Sequence, residues 1–71
     1  MPKIPGVNHR RAIRALGRAG FRVVREGRKH VVMSDGTRIL TIPRNDPVNA
    51  YTMAGIVTDA GLDTDEFKKL L

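Results

Sequence analysis

Between residues 21 and 42 three strand-type runs follow one another with gaps of only two or three residues, and this compression limits the possible folds most severely. Phe21-Arg22-Val23-Val24-Arg25-Glu26 is β-branched and alternating, Gly27-Arg28-Lys29 is turn-forming, and His30-Val31-Val32-Met33-Ser34 reads as a second short strand. Asp35-Gly36 supplies hairpin chemistry, because this pair readily takes the positive-φ positions of a tight turn, and Thr37 to Ile42 reads as the third strand. Parallel pairing would need a crossover of about a dozen residues or more. The three strands therefore form an antiparallel sheet. Pro43 ends the third strand, since it cannot donate to a ladder, and Arg44 to Tyr51, with Pro47 and two asparagines, reads as a loop.

Helical periodicity brackets the strands. Pro5-Gly6 punctuates the start, Asn8 is a suitable N-cap, and Ala12, Ile13, Leu16 and Ala19 recur at helical spacing up to Gly20, which predicts a helix over about 8 to 19. Thr52 is the expected cap of a second helix, whose Met53, Ile56, Val57 and Ala60 form one apolar face before Gly61. Asp63 and Glu66 stand at capping-box spacing ahead of Phe67, Leu70 and Leu71, so a last turn or two follows. The expected fold is α+β, in the order α-β-β-β-α plus a short terminal helix. Both main helices must cover one face of a three-stranded antiparallel sheet to build any core, which leaves the other face open. All 71 residues form one domain in this reading. A chain of this length buries only about 60% of its unfolded surface, so a multidomain enzyme with a deep pocket is excluded.

Composition narrows the functional classes. Hydrophobic residues make up 41%, too many for a disordered tail, and no apolar run approaches the roughly 20 residues of a membrane span. The absence of cysteine removes disulfides, thiolate metal sites and thiol nucleophiles. Met1-Pro2-Lys3-Ile4-Pro5-Gly6 lacks the apolar region of a secretory signal, and a cytoplasmic protein is expected. The net charge of +6 is unevenly spread: residues 1 to 45 carry eleven Lys/Arg against Glu26 and Asp35, while residues 46 to 71 carry Lys68 and Lys69 against five acids. One surface is thus expected to face a polyanion and another to serve a different contact.

Few residues can carry chemistry. No glycine-rich phosphate loop, Ser-His-Asp set or two-histidine metal spacing exists, and helix capping accounts for Asp63, Asp65 and Glu66 without a metal. No metal or other cofactor is expected. His30 stands apart, because it enters a strand directly behind Arg28 and Lys29. It is either an idle strand-end histidine or a general acid/base acting on a phosphodiester, where imidazole titrates near neutrality and neighbouring cations hold the phosphate. RNA would supply its own nucleophile, the 2′-OH. His9, in a first helical turn, is expected to be exposed and idle. Arg10, Arg14 and Arg18 recur at i, i+4, i+8, which puts three guanidinium groups on one stripe of the first helix, either simply solvated or in contact with RNA. Phe21, Tyr51 and Phe67 are the only aromatic residues and two of them look like core, so recognition would lean on the RNA backbone rather than on base stacking.

An ordered set of motifs spans nearly the whole chain: Gly20-Phe21 after a helix, Lys29-His30 at a strand entry, Asp35-Gly36, Thr41-Ile42-Pro43-Arg44, Tyr51-Thr52-Met53, Asp59-Ala60-Gly61-Leu62 and Glu66-Phe67. In these residues, from about Val7 to Leu71, the chain resembles the HicA-family toxins of prokaryotic toxin-antitoxin pairs. The resemblance implies a double-stranded-RNA-binding-domain-like fold, a metal-independent endoribonuclease acting on mRNA, and a HicB-type antitoxin as protein partner. The family's catalytic histidine follows a Gly-Ser or a Lys at the start of the second strand, and His30 behind Lys29 matches the Lys variant. Two positions depart from the pattern. Arg28 stands where a Gly often precedes that residue, and Asn45 follows Pro43-Arg44 where a His is frequent.

Together these readings make His30 the acceptor of the 2′-OH proton, with Lys29, Arg28 and Arg44 binding the scissile phosphate and a 2′,3′-cyclic phosphate as product. The leaving oxygen needs an acid, for which water, Lys29 and Tyr51 are all open. The antitoxin is expected to cover the open sheet face and offer carboxylates to the basic turn. The rival reading is a non-catalytic RNA-binding or ribosome-associated module, for which the same basic face suffices.

Overall fold

The computed structural model describes residues 6–71, and the basic segment 1–5 lies outside them. Asn8 opens α1 (His9–Arg18): its side-chain oxygen accepts from the Arg10 N–H at 2.8 Å. The helix ends in a Schellman motif, in which the N–H of Phe21 donates to the Leu16 carbonyl at 3.0 Å and that of Gly20 to the Gly17 carbonyl at 3.1 Å. Gly20 takes φ +101°, a left-handed turn that lets the chain reverse straight into the sheet. Gly61, with φ +76°, ends the second helix in the same way.

The sheet has the order β1-β2-β3, with β1 (Arg22–Glu26), β2 (His30–Ser34) and β3 (Ile39–Pro43) all antiparallel. The third strand begins two residues later than its composition suggests. Asp35 Oδ1 accepts from the N–H groups of both Thr37 and Arg38, at 2.9 and 2.7 Å, which holds these residues in the turn. Pro43 closes β3 opposite His30 and needs no donor there, because the ladder resumes through the N–H of Arg44 to the Lys29 carbonyl at 2.8 Å.

Beyond the 44–49 loop lie α2 (Ala50–Asp59) and α3 (Thr64–Leu70). Asn49, not Thr52, caps α2. Its Oδ1 accepts from the Thr52 N–H at 2.8 Å, so the helix starts with Ala50 and Tyr51, which had read as loop. The expected capping box of α3 is present: Asp63 accepts from the Glu66 N–H at 2.7 Å and Glu66 accepts from the Asp63 N–H at 3.2 Å. Between the loops, Val7 and Val48 exchange backbone hydrogen bonds of 3.0 and 2.7 Å.

All three helices lie on one side. Val31, Met33, Leu40 and Ile42 point from β2 and β3 into a core completed by Ala12, Ala15 and Leu16 of α1, Met53, Ile56 and Val57 of α2, and Phe67 of α3. The intervening residues His30, Val32, Ile39 and Thr41 stand on the opposite face, which no element among the described residues covers. Alternation of side chains along the strands thus separates a dry face from a wet one. No helix among the described residues is long and apolar enough to cross a membrane.

Candidate nucleic-acid interface and active site

The open face carries a concave region, about 460 Å³ in volume, at the end where β1 turns into β2. Gly27, Arg28, Lys29 and His30 form its rim, and Arg25, Val32 and Thr41 complete it. Register explains this grouping. Arg25 pairs with Val32 and Val32 with Thr41, giving one row across three strands, and His30 stands on the same face two residues back along β2. The imidazole is exposed, so a ligand can reach it without any rearrangement of the core.

Hydrogen bonds pin the turn that carries the rim. The Gly27 N–H donates to the His30 carbonyl at 2.8 Å, so the loop proper is Arg28-Lys29. Arg44 fastens this loop from β3: its backbone N–H donates to the Lys29 carbonyl and its side-chain Nε to the Gly27 carbonyl, both at 2.8 Å. Its Nη2 lies 3.7 Å from Glu26 Oε1. Glu26 is the nearest acid in the sequence to the rim, and the rim and floor residues include no carboxylate. Three cations and one titratable ring therefore share a depression that attracts anions.

The fold brings together Arg28, Lys29 and His30 from the sequence candidates. Arg44 braces the turn from behind and is not part of the lining. Arg10, Arg14 and Arg18 lie on α1, in the helical layer on the other side of the sheet, and remain exposed there. The Arg18 Nη1 donates to the Leu70 carbonyl at 2.6 Å, satisfying an end of α3. Tyr51 is exposed at the start of α2 and is not part of the lining, whereas Phe21 and Phe67 are core residues as their neighbours in sequence suggest. His9 departs from expectation. It is half-buried beside the point where Val7 pairs with Val48, and its Nδ1 is shut off from solvent without a partner among the described residues.

Arg25 and Thr41 are the site residues that the sequence pattern conceals. Strict alternation would set Arg25 on the same face as Val23, which opposes the buried Met33. A β-bulge between Val23 and Arg25 absorbs Val24 as an extra residue and turns Arg25 to the open face. Two adjacent β-branched residues, Val23-Val24, were the only hint of this irregularity.

What the arrangement can do is bind a phosphodiester over a basic rim and take a proton from a hydroxyl beside it through imidazole. Among comparisons with known proteins, a family model described as HicA toxin of bacterial toxin-antitoxin matches residues 9–62, which takes in α1, the whole sheet and α2. No curated protein matches the chain.

Proposed function

The chain belongs to the HicA toxin family of bacterial toxin-antitoxin systems, and from that premise we propose that it is an endoribonuclease that cleaves mRNA at the concavity around His30. The observation that carries this reading is the exposed imidazole set among Arg28, Lys29 and Arg25 on an uncovered sheet face. His30 takes the proton of a ribose 2′-OH. The 2′-oxygen attacks the adjacent phosphorus, the bond from phosphorus to the 5′-oxygen breaks, and the products are a 2′,3′-cyclic phosphate and a 5′-hydroxyl. Lys29 lines the concavity and Tyr51 does not, so the proton for the leaving 5′-oxygen comes from Lys29 or from water.

This chemistry asks for positioning, a proton acceptor and charge stabilisation at phosphorus, and these the residues of the rim can supply without a metal. Arg28 and Lys29 sit at the tip of a turn held by three backbone-directed hydrogen bonds, so their charges are presented at a fixed place rather than on a loose loop. The exposed arginines of α1 extend the positive surface around the molecule and serve longer RNA. The substrate places the activity in the cytoplasm.

A toxin of this kind has an antitoxin partner, and we assign that role to a HicB-type protein. It silences the toxin by lying on the open sheet face and bringing carboxylates to the rim, where three cations have no counter-charge among the described residues. The ends of the RNA fragments test the reaction. Cyclic phosphate ends, and no cleavage of a substrate with deoxyribose at the cut site, are the expected results; 5′-phosphate ends would overturn the 2′-OH route.

A further inference from the structure

We infer that Arg25 is a substrate-contacting residue that clamps the scissile phosphate opposite His30, and that the β-bulge in β1 exists to deliver it there. The inference rests on the ribonuclease reading and deepens it. Arg22 faces Ser34 and Val23 faces Met33, so an unbroken ladder would oppose Val24 to Val32 and turn Arg25 toward Val31 and the core. The structure instead opposes Arg25 to Val32 and Glu26 to Val31. One extra residue has moved a guanidinium to the wet face and its acidic neighbour to the other.

Each consequence favours a phosphate ligand. His30 is the diagonal neighbour of Arg25 on the adjacent strand, a relation that sets the two residues about 7–8 Å apart, their Cβ atoms somewhat closer, and within reach of long side chains. A phosphodiester between the two can touch both. Glu26 is drawn away to Arg44, and no carboxylate or carbonyl of the described residues bonds the Arg25 guanidinium. The guanidinium offers a planar fork that fits two phosphate oxygens, whereas Lys29 offers a point charge on a mobile stem. Bulges beside active sites commonly re-aim a side chain in this manner. Charge on the phosphate oxygens grows during attack by the 2′-oxygen, which is when a fixed guanidinium contributes most.

The experiment compares single-turnover cleavage of a defined RNA by the parent chain, Arg25→Gln, Arg25→Lys and Arg22→Gln, with RNA binding measured over a salt series and folding checked by circular dichroism. Arg22 stands on the same open face, one row farther from His30, and controls for simple loss of positive charge. Arg25→Gln is expected to fold, to cleave about 100-fold more slowly, and to flatten the dependence of log affinity on log salt by about one. Arg25→Lys restores the salt dependence but only part of the rate. Cleavage by Arg25→Gln at the parent rate, or a loss no greater than that of Arg22→Gln, overturns the assignment of Arg25 alone. A parent chain that binds RNA and never cuts it overturns the ribonuclease reading and the catalytic role of Arg25 with it.

Discussion

The Nε of Arg44 donates a 2.8 Å hydrogen bond to the carbonyl of Gly27, tying the end of β3 to the first residue of the turn that presents Arg28, Lys29 and His30. The side chain thus helps to hold the rim in place. Removing it leaves the backbone bond from Arg44 to Lys29 intact but frees the Gly27 carbonyl and releases Glu26. Arg44→Ala is expected to lower the unfolding free energy by about 1 kcal/mol, the usual net worth of one such bond, and to speed amide exchange at Gly27. Exchange at Gly27 unchanged from the parent would show that the brace does not hold the turn.

The start of α2 offers a paired test. Asn49 supplies the capping oxygen and Thr52 supplies only the backbone N–H that it receives. Asn49→Ala is expected to cost about 1 kcal/mol, measured by urea denaturation, while Thr52→Ala leaves the cap in place and costs less. The reverse order would restore Thr52 as the cap.

Asp35 gives the fold a defined response to acid. The N–H groups of Arg38 and then Thr37 bond its carboxylate and hold it below the usual aspartate range. A carboxylate depressed in the folded state adds stability that is present above its unfolded value and is lost as pH falls through the folded one. Thermal stability of the parent should therefore decline from the ordinary aspartate range downward. Asp35→Asn should show a shallower decline over the same range, and an identical acid profile for the two proteins would remove Asp35 as a contributor.

The sheet and its helices were legible in the sequence because their signals are local. Asp35-Gly36, the glycines after each long helix, and the spacing of Asp63 and Glu66 each specify a turn or cap without help from distant residues. His30 was legible for a similar reason, since a lone imidazole behind two cations is unusual wherever it lies. Arg25 was not, because its facing depends on a bulge, and a bulge is settled by how two strands share hydrogen bonds rather than by the residues of one. The bracing role of Arg44 was hidden by the same limit: a cation near a basic turn suggests a ligand for phosphate, while only the folded chain brings the Gly27 carbonyl to its Nε. His9 follows this rule too, being withdrawn from solvent where Val7 meets Val48, 41 positions farther along the chain.

The most direct test of the account is cleavage of a defined single-stranded RNA in EDTA by the parent chain and by His30→Ala, with binding of the same RNA measured in parallel. His30 is exposed and lies outside the buried core, so the variant should fold as the parent does. The parent is expected to cut, and His30→Ala to bind the RNA with similar affinity without cutting it. Equal binding with no cleavage by either protein, or undiminished cleavage by His30→Ala, would contradict it.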